Sequence, residues 1–178
     1  MAALDPIPPH ARQLETTAFW AARTNEAAAL RDSVDRLQNI EQRWPNAQTR
    51  AASLYGRSRL ALTAGDLQSS ERLLSESLGC APSVWALFDL ADLFAKLGKP
   101  ALAEEYWAKF DSRRGTILKL WFPGVLVWSW LNRAQAAVQR GDPTAAQTYA
   151  KQVLDHWATR NPQIGIVQMA RNINVRTA

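Results

Sequence analysis

The sequence predicts an all-α fold built from antiparallel helix pairs. From about residue 12 onward, apolar side chains recur at spacings of three and four residues, which is the period of an amphipathic helix. The 178 residues include 8 glycines and 9 prolines, too few turn formers for a many-stranded β protein. No run of alternating apolar and polar residues bounded by turns interrupts the helical pattern. A chain of this length fits one large domain or one short array of repeats.

Turn residues divide the chain into nine predicted helices. The first begins near Arg12, and Asn25 is predicted to cap the second, which ends before Pro45. The third begins near Asn46, a residue suited to an N-cap. Later helices are separated by breaks at Gly65–Asp66, Gly79–Pro82, Gly98–Pro100, residues 114–124 and Gly141–Pro143, and the last opens at Pro162.

Three turn glycines, Gly65, Gly98 and Gly141, mark an internal repeat. Each is preceded by a large side chain at position −11 and a small one at −7, and is followed by another small one at +5. These residues are Leu54, Ser58 and Ser70, then Leu87, Ala91 and Ala103, then Trp130, Ala134 and Ala146. Antiparallel helices approach closely where one of them supplies small residues, and a glycine in left-handed conformation ends the first helix. The spacings are 33 and 43 residues, so residues 114–124 are predicted to lengthen the second connection.

This pattern resembles the tetratricopeptide repeat (TPR), a helix-turn-helix unit of about 34 residues. The family's signature places are filled most fully within residues 83–112, by Leu87, Leu90, Ala91, Phe94, Gly98 and Ala103. The resemblance implies a right-handed superhelix of three TPR-like repeats over residues 46–160. Residues 1–45 are then an N-terminal helical extension, which could be a degenerate repeat, and residues 161–178 a C-terminal capping helix.

A narrower resemblance covers residues 101–162. This stretch is similar to the C-terminal TPR segments of bacterial receptor-like serine/threonine kinases and winged-helix regulators. It implies a partner-sensing region that could belong to a longer protein. Neither a kinase glycine-rich loop nor an evident DNA-reading helix-turn-helix occurs in the sequence.

A candidate peptide-binding groove follows from the repeat, because the first helix of each pair lines the concave face of such an array. Counting back from each turn glycine gives the groove residues Tyr55, Arg59, Trp85, Phe88, Asp92, Lys96, Trp128, Leu131 and Gln135, with Ala52, Leu62, Thr63, Ala95, Val138 and Gln139 in the same register. Aromatic anchors among a few charges are typical of a protein-binding surface, and they suit an apolar or amphipathic segment. The alternative is that Trp85 and Trp128 pack against neighbouring helices.

Trp121 and Phe122 lie in the long connection at residues 114–124. They could fold over the groove as a lid or gate a ligand pocket, or they could plug the seam between two repeats. The first possibility leaves open a second function class, a regulator that takes a small molecule in an aromatic pocket under the connection.

Catalysis and metal binding have little support in the sequence. Its one cysteine, Cys80, excludes a disulfide framework and a thiolate zinc site, and its two histidines, His10 and His156, lie far apart. His156 follows Asp155, but adjacent residues on a helix do not face each other. Phosphate-cradling loops and nucleophile elbows are also missing from the sequence. We therefore expect no enzyme activity, catalytic residue, metal or cofactor.

Charge is distributed unevenly along the chain. The net charge is +5, with −2 over residues 1–108 and +7 over residues 109–178. The basic C-terminal third leaves a nucleic-acid-associated module as a further alternative. Its arginines are scattered, however, so a nucleic acid is not the expected partner.

The sequence thus predicts a protein- or peptide-binding scaffold or regulatory module. The N-terminus lacks the pattern of a signal peptide. The longest apolar stretch, residues 117–131, is interrupted by Lys119, Pro123 and Gly124 and is shorter than the roughly 18 residues of a membrane span. We therefore expect a cytoplasmic protein without a membrane span. Self-association through the ends of the repeat stack is compatible with every function considered.

Overall fold

A computed structural model describes residues 9–119, 123–159 and 163–177. These residues form ten helices and no strand, which confirms the predicted all-α class. The helices are α1 (Pro9–Arg23), α2 (Ala27–Arg43), α3 (Ala47–Thr63), α4 (Leu67–Cys80), α5 (Val84–Lys96), α6 (Pro100–Asp111), α7 (Arg114–Lys119), α8 (Pro123–Gln139), α9 (Pro143–Trp157) and α10 (Gly165–Thr177).

The chain forms two compact units, Met1–Leu90 and Ala91–Ala178, whose boundary falls within α5. In the first unit α1 packs on α2, α2 on α3 and α3 on α4, and α1 also contacts α3. In the second unit α8 packs on α9, α10 packs on both, and α6 and α7 contact α8. Most of these contacts join helices that follow one another in sequence.

The three turn glycines adopt the predicted left-handed backbone. Their φ angles are +80° at Gly65, +69° at Gly98 and +70° at Gly141. After each glycine, the next backbone N–H donates to a carbonyl five residues earlier, from Asp66 to Ala61, from Lys99 to Phe94 and from Asp142 to Ala137, at 2.8–2.9 Å. This closure satisfies carbonyl groups that the helix end would otherwise leave unpaired.

The α1–α2 turn closes in the same way without a glycine. Asn25 has a φ of +61°, and the N–H of Glu26 donates to the carbonyl of Ala21 at 2.8 Å. The prediction that Asn25 caps α2 is therefore wrong, since the N-cap residue is Glu26, which makes no side-chain capping bond. Asparagine fits this position because it tolerates the left-handed region better than most residues with a side chain.

Small residues let the helices approach closely. The small residues at positions −7 and +5 of each repeat are fully buried, namely Ser58, Ala91, Ala134, Ser70, Ala103 and Ala146. Between α2 and α3 the close contact is at Gly56, where an added Cβ would lie 3.1 Å from atoms of both Leu37 and Val34. Helix α3 begins as predicted, because Oδ1 of Asn46 accepts the backbone N–H groups of Gln48 and Thr49, each at 2.9 Å.

The long connection differs in detail from the prediction. It contains a short helix, α7, and α8 begins at Pro123 instead of Val125. The final helix begins at Gly165, and Pro162 lies outside the described residues. The predicted division of the chain into an N-terminal extension, a repeat region and a C-terminal helix, at residues 1–45, 46–160 and 161–178, stays a prediction.

Candidate functional site

The aromatic and charged residues predicted to face an open groove in the first unit are buried. Tyr55, Arg59, Trp85 and Phe88 all have less than 5 % of their surface exposed. The expectation that they face solvent is therefore wrong. The cause is α1, which places Phe19 against the same face, with its ring centroid 4.4 Å from that of Trp85 and 5.6 Å from that of Phe88.

A buried ion-pair network beside these rings is centred on Asp89. Its Oδ1 accepts a hydrogen bond from Nη2 of Arg23 at 2.8 Å. Its Oδ2 accepts from the Tyr55 hydroxyl and pairs with Nη1 of Arg59, each at 2.9 Å. The Asp89 side chain is fully buried, and charge-assisted bonds of this kind are what a buried carboxylate requires.

Arg23 joins this ion pair to the aromatic cluster. Its guanidinium carbon lies 3.8 Å from the ring centroid of Phe19 and 5.0 Å from that of Phe88. Guanidinium groups are attracted to ring faces, so the same side chain holds α1 through both charge and stacking. This cluster ties α1 to α3 and to the N-terminal half of α5.

The protonation states follow from burial and charge together. Burial alone would raise the pKa of Asp89, but the positive charges of Arg59 and Arg23 outweigh it, so its pKa lies below the ordinary value. Burial raises the pKa of Tyr55 well above its ordinary value, and the negative charge of Asp89 adds to the effect. At neutral pH Asp89 is ionised and Tyr55 keeps the proton that it donates.

A second polar network lies in the second unit around Arg133. Its Nη2 lies 2.5 Å from Oε1 of Glu104, and its Nη1 pairs with Oδ2 of Asp111. Tyr149 donates to the same Glu104 oxygen at 3.0 Å, and its ring lies 4.1 Å from the guanidinium carbon. Ser129 donates to Asp111 at 3.2 Å.

In the Arg133 network, the pKa of Asp111 is shifted in the opposite direction from the pKa of Asp89. Burial raises the pKa of Asp111 above its ordinary value, and the opposing charge of Arg133 only partly offsets this. Burial also raises the pKa of Tyr149. Both groups contact other side chains of the same chain, so the network packs α6, α8 and α9 together.

Several basic residues of the second unit contact other groups of the same chain. Besides Arg133, Arg114 lies over the ring of Trp130 at 5.3 Å, and Arg140 donates to the carbonyl of Pro100 at 3.4 Å. These arginines lie at separate places and contact groups of the chain itself. This arrangement does not favour a continuous basic stripe that could bind nucleic acid.

An open groove runs between α8 and α10. It has a volume of about 490 Å³ and is lined by Gln135, Val138, Gln139, Met169 and Ile173. Val138 is 47 % exposed and Met169 45 % exposed, so two large apolar side chains face solvent in the same groove. The three α8 residues lie in the register that the sequence predicts to face a binding groove.

The other predicted site residues are dispersed. Asp92 and Lys96 form an ion pair of 2.8 Å along α5. Leu131 is buried, contrary to expectation, and Trp128 is half-buried. Trp121 and Phe122, the predicted lid, lie outside the described residues.

Met169 and Ile173 are not among the predicted site residues, because the sequence predicts only a capping role for the last helix. Their spacing of four residues places them on one helix face, which is the pattern that could have identified them. Phe19 and Arg23 have the same spacing on α1, and they are not among the predicted site residues because the sequence predicts only an extension for the N-terminal helices.

Within the described ranges, no group of three or more histidine, cysteine, aspartate or glutamate side chains is arranged to hold a metal ion. The same ranges contain no helix with the length and apolarity needed to cross a bilayer.

Comparison with known proteins supports the fold. No protein-family model and no curated protein matches the sequence. Among solved structures, the chain is similar to a putative kinesin light chain from Podospora anserina with nearly identical TPR-like repeats. The two chains superpose with a TM-score of 0.66 at 18 % identity, over 96 % of this chain and 87 % of the other.

The fold is a TPR-like helical repeat. At this level of identity the similarity shows the fold alone, and it confirms the fold class predicted from the turn glycines and the small-residue pattern. The narrower resemblance to bacterial kinases and winged-helix regulators stays a prediction.

Proposed function

We propose that this TPR-like protein is a protein-binding scaffold that holds a segment of a partner protein in the groove between α8 and α10. The observation that carries the proposal is the pair Val138 and Met169, which lie on two sides of the groove and are each almost half exposed. Exposed apolar side chains that line a groove are typical of a binding surface. Helical repeat proteins commonly bind other proteins on such surfaces.

The groove combines apolar and amide groups. Val138, Met169 and Ile173 offer apolar contacts, and methionine adapts its shape to a partner. The carboxamides of Gln135 and Gln139 each carry a donor and an acceptor, which can bind the backbone of an incoming segment. An apolar or amphipathic segment therefore suits this groove.

The buried aromatic cluster of the first unit is not part of the proposed surface. Trp85 and Phe88 are covered by Phe19 of α1, and Tyr55 and Arg59 bind Asp89. We propose that these residues stabilise the fold and do not bind a partner.

A TPR-like repeat is typically a scaffold without catalysis, and we propose no enzyme activity for this chain.

The proposed function is tested by capturing partners from a lysate of the source organism with the full chain, at low and at moderate salt. A Val138→Asp/Met169→Asp double variant is compared with wild type, and Leu102→Asp, at an exposed apolar position on α6, is the matched control. Circular dichroism establishes that all three proteins keep their helical content.

We expect a protein that wild type and Leu102→Asp retain at moderate salt and that the double variant loses. Equal retention by the double variant would overturn the proposal. Recovery of salt-sensitive nucleic acid alone would favour the nucleic-acid alternative, and recovery of this chain itself would indicate self-association.

A further inference from the structure

A second exposed surface lies in the first unit, at the C-terminal end of α2. Trp44 is 51 % exposed there. It borders a notch of about 280 Å³, which is also lined by Leu14, Arg36, Asn39, Ile40 and Arg43.

Hydrogen bonds hold the backbone of Trp44 in this exposed position. Its N–H donates to the carbonyl of Ile40 at 2.9 Å. Its own carbonyl accepts from Oγ1 of Thr49 at 2.7 Å and from the carboxamide of Asn46 at 3.3 Å. Asn46 and Thr49 also form the capping box of α3. The backbone that carries the indole is therefore ordered before any partner arrives, which lowers the entropic cost of binding.

The floor of the notch is apolar and its rim is basic. Leu14 and Ile40 form the floor and belong to the packed core of the first unit. Arg36, Asn39 and Arg43 lie on the same face of α2, at spacings of three and four residues, and are exposed.

The two arginines are available to an anionic partner. Arg36 lies 3.5 Å from Asp32, but both side chains are more than half exposed, so this pair is screened by solvent and weak. Among the described residues, the lining of the notch includes two guanidinium groups and no carboxylate. Tryptophan and arginine are also the residue types that contribute most to protein interfaces.

We propose that this notch binds an acidic segment of a partner protein, which inserts one aromatic side chain beside Trp44 and sets its carboxylates against Arg36 and Arg43. The apolar floor favours a side chain of this kind over a phosphate. Proteins bind a nucleic-acid backbone through many phosphate contacts, and two arginines on one helix face offer only a few. The notch is distinct from the α8–α10 groove and does not depend on the function proposed for it.

The test is fluorescence anisotropy of the full chain with a dye-labelled peptide, Glu-Asp-Asp-Phe-Asp-Glu. Two companion peptides replace its phenylalanine with serine or its acidic residues with their amides. The protein variants are Trp44→Ala and Arg36→Glu/Arg43→Glu. The controls are Arg50→Glu, at an exposed arginine on α3, and Val138→Asp/Met169→Asp in the other groove.

We expect saturable binding by wild type and by both controls. Trp44→Ala and Arg36→Glu/Arg43→Glu should each weaken it by about tenfold or more, as for interface anchors. Both companion peptides should bind more weakly than the parent peptide. Thermal unfolding followed by circular dichroism shows whether the variants remain folded, which the exposure of all three substituted side chains leads us to expect.

Three results would overturn the proposal. The first is the absence of saturable binding by wild type up to about 1 mM protein. The second is undiminished binding by folded Trp44→Ala or by the charge-reversed variant. The third is displacement of the peptide by a single-stranded oligonucleotide of about ten nucleotides that binds more tightly, which would assign the surface to nucleic acid.

Discussion

The hydroxyl of Tyr55 on α3 donates a 2.9 Å hydrogen bond to Oδ2 of Asp89 on α5, 34 residues later in the chain. Arg59 shares that oxygen, and Arg23 of α1 binds the other. Three helices of the first unit therefore meet at one buried carboxylate. A face that the repeat pattern predicts to bind a ligand is instead covered by the protein's own first helix.

Replacing the central carboxylate should destabilise the protein strongly. Asp89→Asn leaves the guanidinium groups of Arg23 and Arg59 against a neutral partner, and breaking a buried ion pair in this way costs about 3 kcal/mol of unfolding free energy. Urea denaturation measures the loss. Asp32→Asn, at an exposed carboxylate on α2, is the control and should unfold near the wild-type midpoint. A folded Asp89→Asn protein with the wild-type midpoint would contradict the role assigned to the network.

The contribution of Asp89 should depend on pH in a defined direction. Its pKa is lower in the folded state than in the unfolded chain. Its stabilising effect is therefore fully present above the unfolded pKa of about 4 and is lost as the pH falls through the folded pKa. In urea titrations, the stability difference between wild type and Asp89→Asn should be constant near neutral pH and shrink in acid. A difference that grows on acidification would show the opposite sign.

Asp111 should show the reverse dependence. Because burial raises its folded pKa, ionising Asp111 disfavours the native state as the pH rises through that pKa. The stability of wild type relative to Asp111→Asn should therefore decrease as the pH rises from about 4 through the folded pKa. The same urea titrations measure it, and an increase over this range would mean that Arg133 outweighs burial.

Substitutions at the left-handed turn residues Gly98 and Asn25 should have different effects on stability. Gly98→Ala should cost about 1 kcal/mol of unfolding free energy through backbone strain alone, because no atom lies within 4 Å of the added Cβ. Asn25 already has a side chain at a φ of +61°, so Asn25→Gly should change stability by less than about 0.5 kcal/mol. Thermal unfolding compares the two variants. A large loss for Asn25→Gly would show that its side chain has a role beyond the turn.

The fold could be predicted from the sequence because its determinants are local. Gly65, Gly98 and Gly141 end helices through their own backbone, and small residues such as Ala91 and Ala134 mark close contacts at fixed distances from them. Asn25 was misassigned because asparagine suits both an N-cap and a left-handed turn. Only the hydrogen bond from Glu26 to Ala21 distinguishes the two.

The open surfaces could be predicted only in part, because exposure depends on contacts between distant segments. Register placed Trp85 and Phe88 on one face, but it could not show that Phe19, more than sixty residues earlier, covers them. The same register placed Val138 on a face that stays exposed, where it lines the groove between α8 and α10 together with Met169 from the last helix. Periodicity identifies the faces of a helix, and packing decides which of them stay open.

Photo-crosslinking from the α8–α10 groove tests the central claim most directly. A benzophenone amino acid replaces Val138 in the full chain, and in a matched protein it replaces Leu102, which is also exposed on the second unit. After irradiation in a lysate of the source organism, we predict a protein adduct from the position of Val138 that disappears when Met169→Asp is added. An adduct only from the position of Leu102, or one from the position of Val138 that survives Met169→Asp, would contradict the groove as the binding surface.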